Sequence, residues 1–494
     1  MEYIPVALFW MLAIWAFLSR GPALLYLFFA SMPFGAFAAV PTVFTAGLTF
    51  TATPLVCVLL ILRTFLARDG LDSFVQNAIS AKRLGLLFGF WIVAILATIF
   101  LPRLFADTVA VMPMRDIKGG VKMVAPSAQN VSQAIYVSIS ILTVFAFAKI
   151  LRSPVDRQHA LKAMLFGGAV TVLTGLVDFA SQYVPLEPLL AVFRTASYSL
   201  AVDVEVLGSK RVVGLMPEAS AFGEIVLGFL CGLVFFRRAI GNARLRKVYA
   251  PVVILLLCLC VYLSTSSGTY VGFALLVVLV AAEAALRAFT GGQSRRFHRQ
   301  DLTGELGLVL VLFVLAVLCV MFVPVVTESV YALVDRMVLS KTETGSFEER
   351  GMWRALAVES VFASNGLGIG LGSTRASSSL AAIFSGTGIL GGMLYLTFVL
   401  QSLLRKSSHL DLEGQFMLTA FRFSFIPPFV VSLMVGGSDF GPMMAFGFGM
   451  VTAVSFSKAS QMALRRETAL IAQRRSQTRG GERLALPGPA TRSG

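Results

Sequence analysis

Apolar residues in this chain do not alternate with polar ones. They run in blocks separated by short clusters of Lys, Arg, Gly and Pro. An α-helix rises about 1.5 Å per residue, so roughly 20 apolar residues cross a hydrocarbon core about 30 Å thick. Thirteen blocks qualify, give or take one: 3–19, 22–41, 46–66, 84–101, 133–151, 160–177, 219–236, 249–264, 268–286, 305–326, 384–404, 416–435 and 440–457. The pattern predicts an all-α polytopic membrane protein of about 12–14 transmembrane helices, with large outer loops carrying short amphipathic helices. The first block has no cationic start and no small-residue cleavage site, so it reads as an anchor helix that the chain keeps.

Composition agrees with this reading. Hydrophobic residues make up 57% of the 494 and charged residues 14%, a balance that a soluble fold could not bury. The five cysteines (Cys57, Cys231, Cys258, Cys260 and Cys319) fall inside the apolar blocks and show no metal or redox spacing.

Basic residues orient the helices. Segments 67–83, 149–162, 237–248, 287–304, 405–415 and 458–494 are short and basic, and strict alternation puts all of them on one side, which should be the cytoplasm. With Arg20 and Arg63, that side carries 28 of the 41 Lys and Arg residues. The net charge of +15 could suggest a nucleic-acid partner. The tail 458–494, however, has no aromatic residue and no recognition motif, so attraction to anionic lipid headgroups accounts for it and no nucleic acid is expected. From about 476 onward Gly, Pro, Arg and Ser dominate, and the tail reads as disordered.

Three outer segments are longer than a connection requires: about 102–132, 178–218 and 327–383. In the last of these, Arg350 and Arg354 stand four apart, with Trp353, Leu356, Ala357 and Val361 near helical spacing. Two guanidinium groups would thus share one face of an amphipathic helix, a donor fork suited to a lipid-linked phosphate; the plain alternative is an interfacial helix whose arginines meet headgroups or pair with Glu348 and Glu349. The tract GLGIGLGSTR follows, with Gly366, Gly368, Gly370 and Gly372 ahead of Arg375. It lacks the strand–turn–helix setting and the Lys-Ser/Thr of a nucleotide loop, so closely approaching backbone or a tight turn is the better reading. The middle loop ends in SKRVVGLMPEASAFG, placing Arg211 seven residues before Glu218 at a helix entrance. Glu218 is either an acid or base at an outer site, or decoration of a first turn that Ser220 caps.

Other features bound the chemistry. His159, His298 and His409 all fall in basic, cytoplasmic connections, which leaves no outer histidine as base or ligand, and the Asp, Glu and Cys placement suggests no metal centre. Arg422, near the inner end of its span, either snorkels or pairs internally. Glu224 and Glu283 are intramembrane acids, and Pro427-Pro428 should break or kink their helix. No internal repeat of the kind transporters carry is evident.

The outer segments resemble the O-antigen ligase and polymerase superfamily, in particular exopolysaccharide polymerases of the Wzy type. The matching passages are RVVGLMPEASAFG at 211–223, the tract from Arg350 through Trp353 to GLGIGLGSTRASS ending at 378, and SGTGILGG at 385–392 entering a span. The passages match in an order that is more specific than any one piece. The resemblance implies that 1–457 is a transmembrane polymerase domain and that the chain is a glycosyltransferase of the bacterial inner membrane. It would work on the periplasmic face with undecaprenyl-diphosphate-linked oligosaccharides, alongside flippase and chain-length or export proteins. By position, Arg211, Arg350, Arg354 and Arg375 would bind the diphosphate. Arg211, Arg350 and Glu218 would be catalytic, with no metal and no cofactor. Ligases of the superfamily usually carry a His-Asn pair where this chain has SSSLAAIFSGTG, which favours polymerase over ligase. A lipid-linked-sugar transporter is the other alternative.

Overall fold

The computed structural model describes residues 3–41, 49–114, 120–197, 200–202, 205–206, 209–289, 345–407, 410–438 and 440–457. The candidate span 305–326, Arg336 and Lys341 of the third outer loop, Cys319, His298, His409 and the tail 458–494 lie outside the described residues.

The chain is an all-α polytopic membrane protein. Among the described residues, eight helices are long and apolar enough to cross a membrane. The first opens on a π-helical turn, Ala81–Gly85, and continues as α5 (Leu86–Leu104). The others include α6 (Ala128–Ile150), α7 (Pro154–Ala180), α9 (Ala219–Phe236), α10 (Ala250–Ser264, which continues a π-helical turn at Leu245–Tyr249) and α11 (Ser267–Phe289). The last two are α13 (Ser379–Leu403) and α14 (Leu412–Val435). Shorter apolar helices are α1 (Tyr3–Leu18), α3 (Ala52–Leu66) and α15 (Pro442–Ser455). Large apolar side chains such as Ile92, Leu96, Phe100, Leu255, Leu390 and Leu400 point outward, as a hydrocarbon surround requires.

The block at 22–41 is not one spanning helix. It gives α2 (Ala23–Ser31), a turn, and β1 (Ala38–Val40), which pairs antiparallel with β2 (Phe50–Thr51). Pro33 removes a backbone donor and obstructs the preceding turn, so α2 stops after nine residues. The indole of Trp10 donates to Ala39 O at 2.9 Å and fixes the strand that replaces the helix. In contrast, α14 runs on through Pro427 and Pro428 as helix, a tolerance common where neighbouring helices surround the freed carbonyls.

The centre is aromatic. Phe28 meets Phe29 and Phe147 at 5.0 and 4.9 Å between ring centroids, and Phe446 meets Phe29 and Phe147 at 5.1 and 5.5 Å. In lipid, helices associate through close packing of small residues against such groups. Gly449 of α15 shows this, since a Cβ there would stand 2.3 Å from Phe147 Cβ.

The basic connections gather at one end of the bundle. Gln401 donates to Ala81 O at 2.8 Å and Gln158 to Ala239 O at 2.9 Å. Arg157 pairs with Glu413 at 2.9 Å and Arg238 with Glu283 at 2.6 Å, so Glu283 serves an ion pair at this end. His159 lies here too, edge-on to Tyr26. Arg422 pairs with no acid among the described residues. It donates to Leu403 O at 2.9 Å and to Arg405 O, capping the carboxyl end of α13.

The two ends should be separable by labelling in intact membranes. In a Cys319→Ser background, Lys82→Cys and Lys406→Cys should react with an impermeant maleimide from one side, and Val121→Cys and Tyr183→Cys from the other. Labelling of all four from one side would contradict the alternation.

Candidate outer-loop arginine site

The opposite end is built from the long loops. The first forms a hairpin of β3 (Ala110–Val111) and β4 (Lys122–Met123). The second carries a one-turn α8 (Glu187–Ala191) and a hairpin of β5 (Glu205–Val206) and β6 (Ser209–Lys210). The third carries α12 (Gly345–Ala363), which packs on α13 and β3. The predicted amphipathic helix is therefore present, with Trp353, Ala357 and Ser360 as its buried stripe.

Between α12 and α13 the chain forms a glycine strap. Gly366, Gly368, Gly370 and Gly372 all have positive φ, from +78° to +87°. The strap lies against α13, which is broken at Gly388 (φ +69°). Ile369 N donates to Ser385 O at 2.7 Å, Gly370 N to Gly386 O at 3.1 Å, and Ile389 N to Gly366 O at 2.9 Å. Only glycine allows this approach: a Cβ at Gly388 would stand 2.4 Å from Leu367 O. SGTGILGG thus lies within a helix that begins at Ser379, at its break, and does not mark the entrance. Asn130 holds the strap from the other side, donating to Leu371 O at 2.7 Å and Ser373 Oγ at 2.9 Å. Its Oδ1 accepts from Ser127 N at 2.7 Å. The Ser-x-x-Asn spacing ahead of an apolar run is a readable helix-start signal that the sequence reasoning passed over.

The strap delivers Arg375 to the site. Its backbone N donates to Met112 O at 2.7 Å, and its guanidinium lies 4.0 Å over the Trp353 ring. Ser377 Oγ donates to Arg350 O at 2.7 Å, tying the strap back to α12. Burial pulls the Arg375 pKa below its usual value; Glu218 and Glu349 push it up, and Arg350 pushes it further down. Four groups from three segments therefore share one electrostatic neighbourhood. The guanidinium groups of Arg350 and Arg375 are half-buried and donate to no carbonyl or carboxylate among the described residues. The Trp353 indole N–H is buried and equally without a partner among them.

Arg211 and Arg354 differ from that pair. Arg211 donates to Thr265 Oγ1 at 2.9 Å and Thr265 O at 3.0 Å. Thr265 is left-handed (φ +44°) and ends α10, so Arg211 caps that helix while feeling Glu218 nearby. Burial is the main cause that lowers its pKa. Arg354 is exposed one turn beyond Arg350 and takes no part in the contacts above. Glu218 is exposed and occupies the N-cap position of α9 itself. Its carboxylate caps no backbone amide and instead accepts from the Ser220 hydroxyl, so Ser220 is not the cap.

The segment before Glu218 is anchored by a pair that sequence reasoning missed. Asp178, at the loop end of α7, meets Arg194 at 2.6 Å and accepts from the amides of Val213 (2.7 Å) and Gly214 (2.9 Å). Its side chain is 1% exposed. The signal available was a lone carboxylate at the edge of an apolar block. Among the described residues, no three His, Cys, Asp or Glu side chains gather as a metal site would require.

Asp178→Ala should strand Arg194 and two buried amides, at a cost of roughly 3–5 kcal/mol, read as a drop of many degrees in the melting temperature of purified protein. Gly370→Ala should cost at least about 1–3 kcal/mol, since its φ is +87° and its Cβ would meet Pro102 Cγ at 2.6 Å. Wild-type melting in either variant would contradict these roles. Comparison with family models and with curated proteins finds no match for the chain, so its chemistry has to be argued from the residues themselves.

Proposed function

We propose that the chain is a glycosyltransferase that polymerises lipid-diphosphate-linked oligosaccharides at the loop end of the bundle. The observation that carries this reading is the Arg375 guanidinium seated over Trp353 with the charges of Arg350 and Glu218 in electrostatic reach, neither arginine donating to a carbonyl or carboxylate among the described residues. Guanidinium is permanently charged and presents a planar fork that matches phosphate oxygens. The resemblance of 211–223, 350–378 and 385–392 to Wzy-type polymerases supplies the reaction. On that reading the site faces the periplasm of a bacterial inner membrane, and the donor is an undecaprenyl-diphosphate-linked glycan.

In the proposed step, the bond between the anomeric carbon and the diphosphate oxygen breaks, and its electron pair leaves with the diphosphate. Arg350 and Arg375 stabilise the charge that develops there by charge-assisted hydrogen bonds to the phosphate oxygens. An acceptor sugar hydroxyl attacks the anomeric carbon, and its proton passes to Glu218. Direct displacement inverts the anomeric configuration. Arg211 holds the α10–α11 turn and adds its field to the same neighbourhood, and Arg354 guides anionic headgroups from the surface.

The break in α13 could also belong to a transporter, where interrupted helices line an ion path. Here backbone of the strap at 366–370 fills the break, which favours a rigid scaffold over a gated pathway.

With a defined lipid-linked repeat unit and purified protein in liposomes, longer lipid-linked glycans should appear. Arg350→Ala and Arg375→Ala should each lower the rate by at least about 100-fold, the scale of removing one preorganised donor, with melting temperature unchanged. Arg211→Ala should lose both activity and melting temperature, and Arg354→Ala should keep most of the activity. Wild-type chain growth in both Arg350→Ala and Arg375→Ala would sink the reading.

A further inference from the structure

Helices α3 and α5 both pack on α6, and a groove of about 510 Å³ lies among the three. Its base follows α6, where Ala134 and Ser138 stand four apart and carry small side chains. Large aliphatic groups complete it: Leu62 of α3, Ile99 of α5 and Ile135 of α6 line the groove and are still 46%, 48% and 45% exposed. The groove is therefore open along its side to the hydrocarbon around the bundle.

The helices set its direction. At the basic end α3 leads into α4 (Gly70–Ile79), so Ile61 and Leu62 lie toward that end, while Arg103 and Ser127 close the groove at the loop end. On α6 the lining runs from Ser127 to Leu142, about 22 Å at the rise of an α-helix. A space of about 510 Å³ drawn out over that length is narrow, and takes one hydrocarbon chain and not the two of a diacyl phospholipid.

At the loop end the groove meets the anchorage of the glycine strap. Thr98 Oγ1 accepts from Leu371 N at 3.2 Å, and Asn130, which holds Leu371 O, lines the groove as well. Pro102, also in the lining, abuts Gly370. Arg103 follows it, exposed, and is the one charged side chain among the described residues that line the groove. It donates to Ile99 O within its own helix. A chain filling the groove thus brings its head out beside a guanidinium and beside the strap that carries Arg375, with no carboxylate in the lining to repel an anion.

We propose that this groove holds the polyprenyl chain of the lipid-diphosphate donor, with Arg103 meeting the phosphate next to the chain. The inference rests on the reading of the loop end as a lipid-diphosphate site; it adds where the chain lies and a cation outside the resembling motifs. Burial of the chain supplies affinity, and the charged head fixes its register.

Full-length protein in neutral detergent, incubated with undecaprenyl diphosphate, should retain it in native mass spectra against an equal concentration of phosphatidylglycerol. Ala134→Phe and Leu62→Trp, which fill the groove from its base and its side, should each lower that retention by about tenfold or more, the scale of two buried CH₂ groups lost, with melting temperature unchanged. Arg103→Gln should weaken retention of undecaprenyl diphosphate and leave that of uncharged undecaprenol at the wild-type level. Groove-dependent retention in protein that makes no polymer would fail the polymerase reading and leave the groove assigned. Unchanged retention in both groove-filling variants, or displacement of the prenyl lipid by an equal concentration of phosphatidylglycerol, would overturn the proposal.

Discussion

Backbone amides that leave a helix inside an apolar bundle must find partners, because the surroundings offer none. The pairing of the 366–370 strap with 385–389 meets that demand at the break in α13. The loop end of the bundle depends on it. Arg375 follows the strap directly, its amide is fixed on Met112, and its guanidinium is seated on Trp353. Positive φ at four alternate glycines is what lets the strap lie flat against α13 and α5, where Gly370 abuts Pro102.

Charge is handled differently at the two ends. At the loop end, Asp178 is buried but fully engaged, by Arg194 and two amides, and so fixes the approach to Glu218. At the basic end, Arg157, Arg238 and Arg422 are satisfied by acids or carbonyls, while Lys149 and Arg152 keep buried donors unmatched among the described residues. Unmatched donors at both ends therefore sit beside well-satisfied neighbours. Local design, and not a general excess of basic residues, singles them out.

Much of the architecture was legible as a sequence. Apolar blocks located the helices because hydrocarbon thickness sets a length that only composition must satisfy. Arg350 and Arg354 could be placed on one helix because i, i+4 spacing determines a face. The rest depended on contacts between distant segments. Pro33 cut a block that hydropathy alone reads as continuous. Arg211 turned out to cap α10 because Thr265, 54 residues later, is brought beneath it. Glu218 took the cap position that Ser220 offered equally well on local grounds. Asn130 and Asp178 carried no distinctive spacing to their partners, so their anchoring roles emerged only with the fold.

The Ser377–Arg350 bond closes a small ring of structure: α12 leads into the strap, the strap carries Arg375, and Ser377 returns to α12. The backbones that carry the two arginines cannot drift apart without opening that ring, so the segments that bear them move as one piece. A rigid piece of that kind keeps Arg375 on Trp353 through motions of the helix ends around it.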